Sequence, residues 1–529
     1  MTENRRQQVA LYDTTLRDGM QGQGMSLSAA EKVRVVRALD RLGVPFIEAG
    51  FPGSNPKEVE LFEMLADLSL ESSLLCAFGM TRRKGIEAAE DENLAAVLAA
   101  GTPVITLVGK TWGLHLDKVT RVSRDENLAM IAESVALCRH ADRRVIYDPE
   151  HFFDGYADDP GYALECLRTA VGAGAENVSL CDTNGRALPS EIGRVVAAVV
   201  AALGGGVVGI HTHNDAECGV ANALAAVEAG ARLVQGTCNG YGERCGNANL
   251  VSILPALQLK LGFDCVSDRQ LGLLSETAHL IDEICNLTPD PDQPYVGRNA
   301  FAHKGGLHAA AVNVDPSTFE HLDPELVGNG REVLISELAG RGSVQSWAAR
   351  HGFELDDEEA RRAIQQIKQH EHRGYHYEAA DASLALLLRR EGDDYEPLFE
   401  LEGFRVVTEK FRDGAVSTEA TLRLWVNGER QFCAAEGNGP VNALDRALRE
   451  AISTHHPELA EIELTNYKVR ILDHGTDAIT RVLLDSTDGQ TEWGTIGVSA
   501  NIIEASWQAL VDSLEYAFQP TITRSGPKR

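Results

Sequence analysis

Two histidines stand two residues apart in "GIHTHND" (209–215). In an extended strand, residues two apart point to the same face. His211 and His213 would then share one side, with Thr212 on the other and Gly209 leaving room below. Two imidazoles on one face can share a divalent metal; the plainer role is a pair that only hydrogen-bonds. A metal needs further ligands. Asp18 in "LRDG" offers a carboxylate and Asn247 in "GERCGN" an amide oxygen. Two nitrogens and two oxygens with positions left open suit Mg²⁺, Mn²⁺ or Zn²⁺, and open positions belong to catalysis. Arg17, beside Asp18, either bridges a carboxylate under the rim or faces a substrate carbonyl and stabilises the oxyanion that forms there. Glu150 and Thr183 are further polar candidates. Each has an ordinary alternative, a solvated or arginine-bridged carboxylate for Glu150 and a helix cap for Thr183.

These residues can meet only if the chain brings distant loops together. From residue 9 to about 262, short β-rich runs alternate with stretches of helical period. There are eight runs: 9–13, 46–50, 74–79, 104–109, 144–148, 177–182, 207–213 and 233–237. Several of the helical stretches end at glycine, as a C-cap does. Eight alternations over this length predict a (β/α)8 barrel, with an open doubly wound sheet as the competitor. A barrel puts chemistry just past the C-terminal ends of its strands. Asp18, Glu150, Thr183, His211, His213 and Asn247 all fall there, and closure makes the first, seventh and eighth strands neighbours.

The catalytic barrel is expected over 1–285. A Pro- and Asp-rich stretch, "NLTPDPDQPYVGRN" (286–299), opens a linker and mostly helical region running to 395. Residues 396–529 form an α+β domain with an internal repeat of about three strands and a helix, a pattern that suits dimerisation.

The net charge of −29 over 529 residues argues against nucleic acid and against anionic membrane surfaces as partners. The longest apolar stretch, 195–210, is broken by three glycines and is too short for a membrane span. Ten cysteines without a CxxC pair, and an N-terminus with no apolar signal segment, lead us to expect reduced thiols and a cytoplasmic location.

Together, "DTTLRDGMQ", "HTHND" and "GERCGN" resemble the metal-dependent barrel enzymes that include 2-isopropylmalate, homocitrate and citramalate synthases. The longer segments "PGSNPKE", "AFGMTRRK", "GKTWGLH", "YDPEHFFDGY" and "HKGGLHAAAV" are most similar to the citramalate synthase branch. The resemblance covers nearly the whole chain, including the C-terminal repeat, which is similar to the family's regulatory, dimer-forming domain.

The resemblance implies an acyltransferase that performs a Claisen-type condensation of acetyl-CoA with pyruvate, followed by thioester hydrolysis, on a route to isoleucine. Asp18, His211, His213 and Asn247 would hold the metal. Arg17 would polarise the keto group, Thr183 would bind the carboxylate, and Glu150 would help remove a methyl proton. His308, in "HKGGLH", would approach from the linker region of the same or a second subunit. A homodimer with isoleucine or leucine as effector is implied too. The alternatives are the sister synthases using another 2-oxo acid, a carbon–carbon lyase on the same fold, and a non-catalytic amino-acid sensor. One departure stands out: relatives carry tyrosine in a "TYEH"-like stretch where this chain has "TFEH" with Phe319. The basic run Arg82, Arg83, Lys84 is either a solvated loop or a contact for CoA phosphates.

Overall fold

A computed structural model describes residues 7–518, apart from 305, 337–338, 353, 391–394, 473–474 and 476–477. Residues 1–6 and 519–529 of the expected domain ranges therefore lie outside the described residues. The chain divides into two compact units, one of residues 1–301 and 322–331, the other of 302–321 and 332–529.

The first unit is a closed parallel barrel of eight strands in chain order. They are β1 (Ala10–Asp13), β2 (Phe46–Gly50), β3 (Leu74–Met80), β4 (Val104–Lys110), β5 (Arg144–Glu150), β6 (Asn177–Asp182), β7 (Val208–Thr212) and β8 (Leu233–Gly236). All eight coincide with the runs read from the sequence. The open-sheet alternative fails because β1 pairs with β8, Tyr12 lying opposite Gln235. Helices cover the outside. Helix Ala29–Leu42, for example, starts at a Ser28–Glu31 capping box and ends at Gly43 in a left-handed conformation (φ 86°).

The bottom of the barrel is filled by Tyr12, Phe46, Cys76, Val104, Ile146 and Leu233. Above them the interior turns polar. Gly209 marks a close approach inside the wall: a Cβ there would meet Ser179 Oγ at 2.5 Å and Asn177 Oδ1 at 2.6 Å. Glycine thus lets β7 pass these two polar side chains just below the histidines.

In the second unit, two short parallel strands, β9 (Ala302–His303) and β10 (Glu332–Val333), accompany helices Gly306–Val314, Arg341–Arg350, Asp357–His372 and Asp381–Arg389. The repeat follows as expected. Antiparallel strands β11 (Glu400–Lys410), β12 (Val416–Val426) and β13 (Glu429–Gly437) lead into helix Pro440–Ile452. Strands β14 (Glu463–Ile471), β15 (Thr480–Thr487) and β16 (Glu492–Ser499) lead into helix Ile502–Phe518. Among the described residues no helix is long and apolar enough to cross a membrane, and no cysteine is in a disulfide.

Candidate metal centre and active-site cavity

The loop after β1 is tied to the loop after β8. Asp13 accepts from the Thr15 backbone N–H at 2.9 Å, from its hydroxyl at 2.9 Å, and from the Cys238 N–H at 3.1 Å. This places Asp18, at the start of a short turn, over the barrel mouth. His211, on the inward face of β7, brings Nε2 to 3.3 Å from Asp18 Oδ2, and His213 Nε2 lies 3.9 Å from the same oxygen. The two Nε2 atoms are 3.3 Å apart. Thr212 faces outward, donating to the Gly219 carbonyl at 2.9 Å. Asn247 joins by backbone pairing with His213. Asp18, His211, His213 and Asn247 are 4, 5, 5 and 2% exposed, so none of their polar atoms can rely on bulk water.

The donor set fits a divalent ion. Asn247 donates through Nδ2 to the Tyr241 carbonyl at 3.1 Å, which leaves its Oδ1 buried without a partner. An orphaned buried acceptor is costly unless something electropositive meets it. His211 Nδ1 lies 2.9 Å from Gln235 Oε1, and Gln235 in turn donates through Nε2 to Asp148 at 2.9 Å. That chain puts the proton on His211 Nδ1 and turns the Nε2 lone pair inward, the arrangement of a ligating imidazole. Burial works against the charge on Asp18, but Arg17 and His211 outweigh it and hold the carboxyl well below the usual range. Burial, together with the charge of His211, pushes His213 down to about 4. For His211 itself, burial is outweighed by the hydrogen bond and charge of Asp18, so its pKa is raised.

Arg17 is held on three sides. Its Nε donates to Glu48 Oε1 at 2.6 Å, its Nη1 lies 3.6 Å from Asp18, and its guanidinium lies 3.9 Å over the Phe78 ring. Glu48, fully buried on β2, also accepts from the Tyr12 and Thr14 hydroxyls, each at 2.6 Å. Both readings of Arg17 therefore meet in one geometry: it is a structural bridge whose remaining donors border the cavity. The sequence shows Glu48 as a polar residue near the end of the second run but gives no role to it, and it passes over Gln235. Their only signal was a polar residue on the inward face of an apolar strand.

The cavity, about 490 Å³, is bordered by Arg17, Asp18, Glu150, Thr183, His211 and His213 among others. Thr183 Oγ1 accepts from the His151 N–H at 2.9 Å, and the helix that follows β6 has no side-chain cap at its start, so Thr183 is not its cap. Glu150 is paired with Lys110, its register neighbour on β4, rather than with an arginine. Arg244, bonded to Asp215 at 2.7 Å and to the Thr183 carbonyl at 2.8 Å, borders the same cavity. His308 belongs to the second unit. Its ring stacks on Phe319, centroids 4.1 Å apart, so the departure from the "TYEH" pattern touches this candidate directly. In the basic run, Arg82 is buried against Glu126 and Glu133, and Arg83 meets Asp91 and Glu92. Lys84 reaches the carbonyls of Thr120 and Arg121.

Residues 8–281 match the HMGL-like family model, 295–374 the homocitrate synthase post-HMGL domain-like model, and 378–518 the LeuA allosteric (dimerisation) domain. An (R)-citramalate synthase of Streptomyces coelicolor is 50% identical over 513 residues, spanning 96% of both chains. One of Synechocystis sp. is 49% identical over 524 residues, again 96% of both. A probable 2-isopropylmalate synthase of Methanopyrus kandleri is 34% identical over 508 residues, covering 95% of this chain and 97% of the relative. By its full-length similarity the chain belongs to the HMGL-like family, on the branch of the (R)-citramalate synthases.

Proposed function

We propose that the chain condenses acetyl-CoA with pyruvate to (R)-citramalate and free CoA, a step toward isoleucine. The observation that carries this is the identity of about half to (R)-citramalate synthases over 96% of the chain, against 34% to a probable 2-isopropylmalate synthase. The reaction removes a methyl proton from acetyl-CoA, forms a bond from that carbon to the keto carbon, protonates the resulting alkoxide, and cleaves the thioester with water.

A divalent ion (Mg²⁺, Mn²⁺ or Zn²⁺) held by Asp18, His211, His213 and Asn247 would polarise the keto acid. The chain's own groups do the rest. Thr183 already uses its oxygen to accept from His151, which frees its hydroxyl hydrogen for the pyruvate carboxylate. Arg17, fixed by Glu48 and Phe78, directs its remaining donors at the oxygen that becomes the alkoxide; such preorganised donors do not reorganise as charge forms. Glu150 takes the methyl proton, and Lys110 fixes where its carboxylate lies. A base of this kind works only if it is well placed, because an acetyl methyl is a poor acid. His308 stays a catalytic candidate that approaches from the linker region of the same chain or of a second copy. The substituent of the keto acid faces Met80, Val108 and Asp148, register neighbours across β3, β4 and β5 that border the cavity.

The enzyme is further read as a cytoplasmic homodimer whose C-terminal domain takes isoleucine or leucine. A non-catalytic sensor would have no use for an Arg17–Glu48 clamp beside a complete ligand set. A thiol-release assay with acetyl-CoA against pyruvate, 2-oxobutanoate, 2-oxoisovalerate, 2-oxoglutarate and glyoxylate tests the reading. Pyruvate should give the highest kcat/KM, and a clear preference for 2-oxoisovalerate would move the activity to 2-isopropylmalate synthesis.

A further inference from the structure

Glu150, at the end of β5, and Thr183, just past β6, border the same cavity. One peptide group links their loops. The Thr111 hydroxyl donates to the Glu150 carbonyl at 3.0 Å, and the next N–H, that of His151, donates to Thr183 Oγ1 at 2.9 Å. His151 does this with φ at 53°, in the left-handed region that residues other than glycine seldom adopt. Such a conformation persists only where the surroundings over-determine it.

Those surroundings converge on Asp154, a buried carboxylate. Its Oδ2 lies 3.4 Å from His151 Nδ1 and accepts from Asn184 Nδ2 at 3.1 Å, while its Oδ1 accepts from Arg186 Nε at 2.8 Å. Asn184 and Arg186 follow Thr183 in the loop after β6. One carboxylate thus ties the residue after Glu150 to the residues after Thr183. Burial works against the charge on Asp154, but hydrogen bonds from His151 and Arg186 outweigh it and hold the carboxyl below the usual range. The helix that carries it, Phe152–Asp158, is seated closely. Its Gly155 passes the Thr111 carbonyl oxygen, which a Cβ would meet at 2.6 Å. Asp154 itself does not border the cavity.

Resting on the proposed condensation, we propose that Asp154 is a positioning residue for that reaction. Through His151 it sets where Glu150 meets the acetyl methyl. Through Asn184 and Arg186 it sets where Thr183 meets the carboxylate of the keto acid. The condensation needs the methyl carbon and the keto carbon in reach of one another, so the base and the carboxylate anchor must keep a fixed separation. A displacement of roughly 1 Å in such an arrangement can cost about 10²-fold in rate. Asp154 acts only through these neighbours and carries no proton in the reaction.

Thiol release by the full-length enzyme, loaded with Mn²⁺, tests the role. Asp154→Ala should lower kcat about tenfold or more and raise KM for pyruvate, with metal content and KM for acetyl-CoA unchanged. Loss of folded protein alone would lower the apparent kcat and leave both KM values where they are. His151 supplies a second test that keeps Asp154 in place. Glycine takes positive φ readily and alanine does not, so kcat of His151→Gly should exceed that of His151→Ala by about fivefold or more. Equal kcat in these two variants overturns the proposal. So does Asp154→Ala with wild-type kcat, or with a lowered kcat and an unmoved KM for pyruvate. In each of these cases an active wild type leaves the condensation reading standing. A wild type that releases no thiol with any 2-oxo acid sinks that reading, and the positioning role with it.

Discussion

Gln235, on β8, joins two buried groups from β7 and β5, accepting from His211 Nδ1 and donating to Asp148, each at 2.9 Å. The amide can serve both only in one orientation, so it fixes the histidine's tautomer as well as its ring plane. Partners of this kind typically change metal affinity by roughly 10–100-fold when lost. Gln235→Leu should therefore bind Mn²⁺ or Zn²⁺ more weakly by about that factor while its far-ultraviolet spectrum stays that of wild type. Metal affinity equal to wild type would remove Gln235 from the centre.

Loss of a ligand should be more severe. His211→Ala and Asp18→Ala lie above the packed bottom of the barrel, so each should stay folded, lose bound metal and lose turnover. Metal content measured on the purified variants checks this, and an inactive His211→Ala protein with full metal would contradict the ligand set.

The Arg17–Glu48 bridge separates catalysis from stability. Arg17→Lys keeps the charge but cannot bond Glu48, stack on Phe78 and meet an oxyanion at once, because it lacks the planar fork. Metal binding should survive and kcat should fall by about 10²–10³, the usual cost of one oxyanion donor. Activity within about threefold of wild type would reject the role. Glu48→Ala instead takes the nearest carboxylate from the largely buried Arg17 guanidinium and an acceptor from the Tyr12 and Thr14 hydroxyls. Removing one partner of a buried pair costs about 3–5 kcal/mol, so its unfolding midpoint in urea should drop clearly where that of Arg17→Lys moves little.

These two groups also mark where the sequence stopped being readable. The eight strands were legible because each is a β-rich run set off by helices, and His211 and His213 because strand parity alone puts them on one face. The loop motifs carrying Asp18 and Asn247 were legible as polar clusters past strand ends. The roles of Glu48 and Gln235 were not: Glu48 shows only as a polar residue near a strand end, and Gln235 as a lone polar residue in an apolar strand. Their partners lie 31 and 24 residues away, and only closure of the barrel brings the pairs together. The Lys110–Glu150 pair is likewise a product of β4–β5 register. Nor does any local signal reveal that His151 sits at φ 53° and turns its N–H onto Thr183.

Protonation at the rim gives a pH signature. Burial, then the neighbouring His151 ring 4.4 Å away, then Lys110, push His115 down to about 4, with Asp154 opposing. The folded chain therefore binds this proton less readily than the unfolded chain, whose histidine titrates near 6.5. Stability from the neutral ring is present above about pH 6.5 and is lost as pH falls toward about 4. The group is partly exposed, so the effect is only part of what the shift alone implies. Melting temperature should fall less between about pH 7 and pH 5 in His115→Phe than in wild type. Parallel curves would show that His115 is not the group responsible.

The C-terminal repeat carries the regulatory expectation. Its two halves have the same order, three antiparallel strands and a helix, but their helix starts differ. Asn501 accepts from the Ile503 and Glu504 N–H groups, whereas helix Pro440–Ile452 begins with no side-chain cap. Uncapped N–H groups at a helix start favour a carboxylate, so the first half is the better place for an amino acid's acid group. Millimolar isoleucine, or leucine, should lower activity with acetyl-CoA and pyruvate, and Gly439→Asp, which sets a carboxylate at that helix start, should blunt the inhibition. Calorimetry on the intact enzyme reports binding directly. If neither amino acid binds and activity is unchanged in their presence, the repeat serves assembly alone, and sedimentation should still find the dimer.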